Sequence, residues 1–263
     1  MSTLALTLTL SAAVVHAVWN LLLARSTDVR SATAVALVTA EVVFAPVAVL
    51  VWRVEAKVWP FLLASSLLQL VYFALLSAAY ARAPLSVVYP VARGGAPVLV
   101  LLATWAVGTR QVLGVLAVAV GVMLVRGLRQ PDRAGLAFGV AIACVIAAYT
   151  VVDKHGVRHA GPIPYLELTM IAPALFYGAA VTRANRALPR VSVEGVAAGL
   201  GTFGAYALVL AALQRAPAAP VAAVRETSVV IGAALAALVL KERVTRWRFL
   251  GACVVAAGIA LLA

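Results

Sequence analysis

The sequence predicts an all-α integral membrane protein with ten transmembrane helices, arranged as two inverted five-helix repeats. Of its 263 residues, 65% are hydrophobic and 11% are charged, and the mean hydropathy is +1.07. A soluble domain averages about 45–50% apolar and about 25% charged residues. The apolar residues form long runs with most charges between them, unlike the short alternating strands of a membrane barrel.

Ten apolar runs have the length of a membrane-spanning helix, which needs about 20 residues with a range of about 17–25. The connections between the runs are short. The runs cover roughly residues 3–24, 31–52, 58–80, 84–107, 111–127, 134–154, 162–183, 192–214, 218–240 and 246–263.

The formal net charge of +12 raises the question of nucleic-acid binding. Basic residues that bind nucleic-acid phosphates cluster on one face or along one helix. Here they stand singly or in small groups at the ends of apolar runs, as in RGLRQPDR at 126–133. This distribution is typical of charges that flank membrane spans. We therefore expect membrane lipids as the surroundings and no nucleic-acid partner.

The two halves of the chain resemble each other in four places, in the same order. Each pair of similar segments is separated by about half the chain. We predict a first five-helix copy in residues 1–128 and a second in residues 129–263. The corresponding segments are YARAPLSVVYPVAR (80–93) and LQRAPAAPVAAVR (213–225), GVLAVAVGVMLV (114–125) and GACVVAAGIALL (251–262), Glu41 before Ala45-Pro46 and Glu167 before Ala172-Pro173, and Trp19-Asn20 and Tyr149-Thr150.

Five helices are an odd number, so the second copy enters the membrane from the side opposite to the first. Inverted repeats of this kind are typical of secondary transporters, whose binding site lies near the membrane midplane between the copies. More of the 21 Lys and Arg residues lie in the odd-numbered connections than in the even-numbered ones. By the positive-inside rule, this places both termini outside the cell.

Five charged residues lie within the apolar runs and away from the ends of those runs, and they are the main candidates for function. A charge at the centre of a membrane helix costs from about 2.5 to more than about 10 kcal/mol, depending on the measure. Such residues therefore face the interior of the helix bundle or a water-filled cavity. They are Glu41, Arg93, Glu167, Arg225 and Glu226.

A broken helix is predicted at residues 89–98, YPVARGGAPV. Pro90 and Pro97 remove backbone donors, and the two glycines between them loosen the helix. A break at membrane depth is tolerated only where it is buried in protein or lines a cavity. Tyr89 stands one turn before Arg93, so the phenol ring and the guanidinium share a face. The corresponding segment of the second copy is 220–228.

Arg93 and Arg225 occupy corresponding positions, which makes them candidate anchors for an anionic substrate group such as a carboxylate or a phosphate. The alternative is that each Arg pairs with a Glu, for example Arg93 with Glu41, and locks helices together. Adjacent residues on a regular helix point about 100° apart. We therefore expect that one of Arg225 and Glu226 reaches the cavity while the other contacts a neighbouring helix.

Glu41, Glu226 and Glu167 are candidates for coupling or gating, because acidic residues within membrane spans are typical of proton relays. Protons are accordingly the candidate coupling ion. The alternative is a permanent salt bridge or, for Glu167, a solvated position near the beginning of its run.

The remaining candidates for the cavity wall are polar and aromatic residues of the first and sixth runs. His16 and Asn20 share one helix face, Trp19 lies beside them, and Tyr149 is the corresponding aromatic residue of the second copy. No second His or Cys stands at metal-ligand spacing. We find no catalytic or phosphate-loop motif, and therefore expect no metal, no cofactor and no enzymatic activity.

Three parts of the chain resemble the EamA-type family of the drug/metabolite transporter superfamily. They are HAVWNLLLARS in the first run, RAP followed by YPVARGGAPVLV in the first copy, and RAP followed by VRETSVVIGAALAALVLKERVTRWRFLGACVVAAGIALL in the second. The sharpest element is the Lys-Glu-Arg turn at 241–243; the first copy departs from it, with VGTRQ at 107–111.

The resemblance implies a ten-helix, basket-like fold with a central cavity and transport of small organic solutes. It also implies cytoplasmic termini, against the distribution of Lys and Arg. It carries over no binding residues.

The sequence as a whole favours a secondary active transporter of a small polar metabolite, such as an amino acid or another anionic or zwitterionic solute. We expect alternating access, export as the direction of transport, a monomer as the sufficient unit, and a bacterial plasma (inner) membrane location. One alternative is a flippase for a lipid-linked head group. Another is a membrane scaffold or enzyme, which predicts that Arg93 and Arg225 pair internally and that no central cavity exists.

Overall fold

A computed structural model describes residues 1–23, 28–83, 85–105, 108–126, 133–239 and 245–263. These residues form eleven α-helices, a 3₁₀ turn at Ala56–Val58 and one isolated antiparallel bridge between Val54 and Ala160. The predicted boundary between residues 128 and 129 and the Lys-Glu-Arg turn at 241–243 lie outside the described residues. The helices are α1 (Thr3–Leu23), α2 (Val29–Leu50), α3 (Trp59–Arg82), α4 (Leu85–Thr104), α5 (Thr109–Arg126), α6 (Arg133–Gly156), α7 (Pro162–Asn185), α8 (Val193–Leu213), α9 (Ala218–Arg225), α10 (Thr227–Val239) and α11 (Arg246–Leu262).

Each predicted apolar run is found as a helix, and the ninth is divided into α9 and α10. Within the described residues, eight segments are long and apolar enough to cross a membrane, one of them formed by α9 and α10 together. The apolar part of α5 and the 17-residue α11 are shorter. The protein is therefore an all-α, multi-pass membrane protein, as predicted.

Short polar residues mark the beginnings of several helices. The Asp28 carboxylate accepts a hydrogen bond from the backbone N–H of Ser31 at 3.1 Å, and the Ser192 hydroxyl accepts one from Gly195 at 3.1 Å. These bonds satisfy backbone donors that have no partner within the helix. The hydrogen bonds from Ser31 lower the pKa of the Asp28 carboxyl.

The contacts between helices are repeated when each helix is replaced by its counterpart in the other half of the chain. The counterparts are α1 and α6, α2 and α7, α3 and α8, α4 and the broken α9–α10, and α5 and α11. Thus α1 packs on α8 as α6 packs on α3, and α4 packs on α6 as α9 and α10 pack on α1. The helices α2 and α7, like α5 and α11, pack on each other. This repetition is the arrangement expected of two related five-helix copies.

Glycines allow α5 and α11 to approach closely. A Cβ atom on Gly121 would lie 2.8 Å from the carbonyl oxygen of Gly251, and one on Gly251 would lie 2.7 Å from that of Gly121. Gly114 and Gly258 meet in the same way one heptad away. Small residues at such contacts are typical of helix packing in membranes, where burial of apolar surface does not itself drive association.

Polar side chains are buried, while large apolar side chains cover the outside. Asp153 and Glu226 are fully buried, and Gln69, Glu167 and Arg225 are more than nine-tenths buried. This distribution suits a lipid environment, in which polar groups need partners within the protein. The outward-facing apolar residues include Val42, Leu63, Leu67, Leu102, Val120, Val140, Leu175 and Phe176.

The predicted break at residues 89–98 was wrong, because α4 runs without interruption through Pro90 and Pro97. The packing of α4 against α6 explains the difference. A Cβ atom on Gly139 of α6 would lie 2.7 Å from the Cβ atom of Val91, so the two helices are in close contact along this stretch. A neighbouring helix at this distance supports a proline-containing membrane helix.

The break occurs in the second copy, at Glu226. There the backbone tightens, since the N–H of Glu226 donates to the carbonyl of Ala223 and the N–H of Val229 donates to that of Glu226, both at 3.0 Å. The hydroxyl of Thr227 donates to the carbonyl of Val224. These bonds replace the regular helical pattern for about one turn and separate α9 from α10.

Candidate functional site

A cavity of about 510 Å³ lies between the two halves of the molecule. Its size is within the range of about 300–1,000 Å³ that is usual for small-molecule sites. It extends from Asp28 and Arg30, which are exposed at the beginning of α2, to Ala12 and Val209 deeper in the bundle. We call the end of the molecule where α2 begins the open end.

The opposite end, which we call the closed end, is held together by hydrogen bonds between connecting segments. The backbone N–H of Glu55 donates to the carbonyl of His159 at 2.9 Å, and that of Gly161 donates to the carbonyl of Arg53 at 2.7 Å. The His159 Nδ1 and Glu55 Oε2 atoms lie 3.0 Å apart. The connection between α2 and α3 is thereby joined to the connection between α6 and α7.

Two side chains extend the closed end to the last turn of α8. The amide of Gln214 donates to the carbonyls of Val157 and Ala160, at 2.7 and 3.2 Å. The ammonium of Lys154 donates to the carbonyl of Ala216 at 2.9 Å. Three connections from both halves of the chain therefore close this end.

All seven residues predicted for the substrate site line the cavity, together with Glu41. Glu226 and Glu167 lie outside its lining. The seven residues are His16, Trp19, Asn20, Tyr89, Arg93, Tyr149 and Arg225.

Arg93 is the centre of a cluster of side chains that joins α4 to α1 and to the α9–α10 break. Its Nη2 donates to His16 Nε2 at 2.8 Å and to the Tyr89 hydroxyl at 3.3 Å, and its Nη1 donates to Glu226 Oε1 at 3.4 Å. The guanidinium also lies 5.2 Å from the centre of the Tyr89 ring. Because a guanidinium cannot accept a hydrogen bond, His16 Nε2 must be the acceptor, and the ring is neutral.

Arg225 and Glu226 face the same spot, contrary to the expectation from regular helix geometry. Arg225 Nε and Glu226 Oε1 are 3.5 Å apart, and the same oxygen accepts from Arg93. The reason is the helix break, which changes the backbone direction between the two residues. The polar segment in the middle of the ninth apolar run is thus the point at which one buried carboxylate meets an Arg from each copy.

Arg225 is less occupied than Arg93. Its side chain lines the cavity and is 5% exposed, and its Nε has no hydrogen-bond partner. Apart from the 3.5 Å contact with Glu226, the described part of the chain offers its guanidinium no hydrogen bond. Arg93 is therefore held by protein partners, whereas the end of the Arg225 side chain is available to a ligand.

The alternative that each Arg pairs with a Glu agrees with the structure, because Arg93 and Arg225 both lie within 3.5 Å of Glu226 Oε1. The example of Arg93 with Glu41 was wrong. Both carboxyl oxygens of Glu41 are buried without a hydrogen-bond partner. Glu167 is 7% exposed, and its Oε2 atom is buried without a hydrogen-bond partner. A scaffold without a central cavity does not agree with the open volume described above.

The sequence analysis missed several residues of the site. Gln69 is buried and lines the cavity, and its place in an otherwise apolar run was the available signal. Asp153 lies near the end of α6 but is fully buried and accepts hydrogen bonds from the hydroxyls of Tyr165 at 2.8 Å and Tyr206 at 2.5 Å. Only the tertiary structure shows that Gln69 and Asp153 are both buried. The position of Asp153 near the end of its apolar run favoured an exposed side chain.

Aromatic rings form much of the remaining wall. The rings of Tyr72, Tyr149 and Tyr206 meet edge to face, at centre-to-centre distances of 6.3 and 6.0 Å. The indole of Trp19 packs against His16 at 5.0 Å, and its buried Nε1 has no hydrogen-bond partner. No group of three His, Cys, Asp or Glu side chains within the described ranges is placed to hold a metal ion. The site can therefore bind a small solute through an Arg, an indole N–H and aromatic faces.

Comparisons with known proteins agree with this architecture. The family model of EamA-like transporters matches residues 133–263. One solved crystal structure superposes with a TM-score of 0.79 over 98% of this chain and 95% of the other, at 16% sequence identity, which establishes similarity of fold. No curated protein matches the sequence closely enough to count as a relative. Through its matched second half, the chain is a member of the EamA-like transporter family of the drug/metabolite transporter superfamily.

Proposed function

We propose that this protein is a secondary active transporter of a small anionic or zwitterionic solute in the bacterial plasma membrane, and that Arg225 binds the anionic group. The observation that carries the proposal is the state of Arg225, a buried cation on the wall of an open cavity whose Nε has no hydrogen-bond acceptor and which shares the Glu226 carboxylate with Arg93. A substrate carboxylate or phosphate-like group supplies the missing acceptor.

The local charges favour an anion. Arg93 and Arg225 carry two positive charges, and Glu226 offsets one of them. A buried charge without a partner is costly, so an anionic ligand is stabilised where a cation is left over. Trp19 adds an indole donor without a partner, and the tyrosine rings accept the apolar part of the solute.

The two ends of the molecule supply a route for alternating access. The cavity reaches the surface at the open end, while hydrogen bonds between three connections hold the closed end. The helix contacts of one half correspond to those of the other half. A rearrangement that closes the open end and opens the closed end can therefore occur within the same fold. Transport follows when the solute at Arg225 becomes exposed to each side in turn.

Thermal unfolding of the purified protein in the presence of candidate solutes tests this proposal. The panel contains amino acids, short carboxylates, phosphonates and inorganic phosphate. A solute at about 100 times its Kd stabilises a protein by about 2.7 kcal/mol, which is measurable as a rise in melting temperature. We expect at least one anionic or zwitterionic solute to give this rise, and the Arg225→Met variant to lose it.

The matched control is Arg215→Met, because Arg215 is exposed outside the cavity lining. We expect this variant to respond to the solute as the wild type does. A panel without a stabilising solute, or equal stabilisation of the wild type and the Arg225→Met variant, contradicts the proposal.

A further inference from the structure

Glu41 is a buried acid without a partner. Its two carboxyl oxygens are both inaccessible, and neither receives a hydrogen bond from the described residues. A buried carboxylate is costly unless it is paired and hydrogen-bonded. Unlike Glu226, which has an Arg on two sides, Glu41 therefore needs a ligand from outside the protein.

Glu167 is a second acid, with one carboxyl oxygen that lacks a partner. It is 7% exposed, and its Oε2 is buried without a hydrogen-bond partner. The helices α2 and α7 pack on each other, and the carboxyl groups of Glu41 and Glu167 interact electrostatically. The two residues also hold corresponding positions in the two halves of the chain, so the pair lies where the copies meet.

The other charged and titratable groups around the pair do not neutralise it. On α8, which packs on both helices, Tyr206 donates to Asp153, and Glu194 lies in the first turn, far from Glu41 along the axis. On α3, which packs on α7, the described side chains of this kind are Tyr72 and Arg82.

The other charged and titratable side chains of α2 and α7 form hydrogen bonds elsewhere, lie near helix ends or line the cavity. The Tyr165 hydroxyl donates to Asp153, while Arg30 and Arg183 lie in the first and last turns of α2 and α7. Tyr177, like Glu41, lines the cavity. No cation within the described structure is therefore paired with either acid.

We propose that Glu41 and Glu167 form a proton-binding site in which at least one of the two carboxyl groups is protonated. A carboxyl group that is buried without a cation or a hydrogen-bond donor is more stable in its neutral, protonated form. Glu41 also lines the cavity that contains Arg225, so the proton has a path from the open end. The coupling of this proton to transport rests on the proposed function, whereas the binding of the proton does not.

Labelling of the wild-type protein with dicyclohexylcarbodiimide tests the site directly. This apolar reagent reacts with protonated carboxyl groups in membrane interiors and forms a stable acylurea, which peptide mass spectrometry locates. We expect label on Glu41 or Glu167 and none on Glu55, an exposed acid of the closed end that serves as the internal control. A labelling pattern without either member of the pair overturns the proposal.

Infrared difference spectra at varied pH test whether these two acids hold a proton. A buried carboxylic acid gives a carbonyl stretch that its ionised form lacks. We expect each of Glu41→Gln and Glu167→Gln to shift or weaken this band, and the double variant to remove the contribution of the pair. Glu55→Gln, at the exposed acid of the closed end, is the control and leaves the band unchanged. A band that is unchanged in the double variant overturns the proposal.

The two proposals fail separately. The labelling uses the unmodified protein and no solute, so it holds even where a Gln variant folds poorly. A solute panel without a hit contradicts the proposed function and leaves the labelling result standing. If labelling succeeds, the stabilising solute is added, and a change of at least about twofold in the labelling rate demonstrates coupling between the two sites.

Discussion

Replacement of Glu226 by Gln is the sharpest test of the electrostatic arrangement. Glu226 is fully buried, and its Oε1 lies 3.4 Å from Arg93 Nη1 and 3.5 Å from Arg225 Nε. Gln keeps the shape and one acceptor oxygen but removes the negative charge. The variant leaves two buried guanidinium groups facing each other with no anion between them.

The expected loss of stability is large for a substitution that conserves volume. At an effective dielectric constant of about 20, each contact at this distance is worth about 5 kcal/mol before the cost of desolvation. Removal of one partner from a buried ion pair typically costs about 3–5 kcal/mol. Because Gln retains one acceptor oxygen, we expect the loss of stability to lie near the lower value, about 3 kcal/mol. For a chain of this size, that corresponds to a fall of about 6–12 °C in melting temperature.

The assay compares the thermal unfolding of purified Glu226→Gln with that of Glu41→Gln. Both substitutions remove a buried carboxyl group, but the oxygens of Glu41 have no hydrogen-bond partner to lose. We expect Glu41→Gln to keep the melting temperature of the wild type. Equal melting temperatures for the two variants would refute the reasoning, because the ion pairs at Glu226 would then contribute nothing.

Two further predictions concern helix packing and the closed end. Gly251→Ala places a methyl group 2.7 Å from the carbonyl oxygen of Gly121 and should cost about 2 kcal/mol in thermal unfolding. The control Gly232→Ala, with no atom within 4 Å, should be neutral or stabilise by up to about 1 kcal/mol. Val54→Cys with Ala160→Cys, made without the two native cysteines, should form a disulfide, since bridge partners stand within its reach. Oxidation should stop exchange of the solute found in the screen, and reduction should restore it; undiminished exchange in the oxidised protein contradicts a role of the closed end in gating.

The positions of the helices and of the candidate residues could be predicted because they depend on local properties of the chain. Long apolar runs can satisfy their backbone groups in lipid only as helices or closed barrels. A charge such as Arg93 or Arg225 cannot face lipid without a large cost, so it must face the interior. The class of protein, the helical segments and the residues of the cavity wall followed from these two rules.

The partners of those residues could not be predicted, because they depend on how helices rotate and shift against one another. Arg93 pairs with Glu226 and not with Glu41, since α4 packs against α9 and Arg93 reaches the break between α9 and α10. Proline and glycine suggested a break in α4, but the contact with Gly139 of α6 supports the helix.

The sequence by itself determined that this is an all-α membrane protein and which charged groups must lie inside it. Only the tertiary structure decided which of those groups are paired. Arg93 is occupied by four protein contacts, Arg225 lines the cavity beside Glu226, and both carboxyl oxygens of Glu41 are buried without a partner. The physical reason is that the cost of a buried charge is a property of one residue, while its compensation requires contacts between helices far apart in the chain.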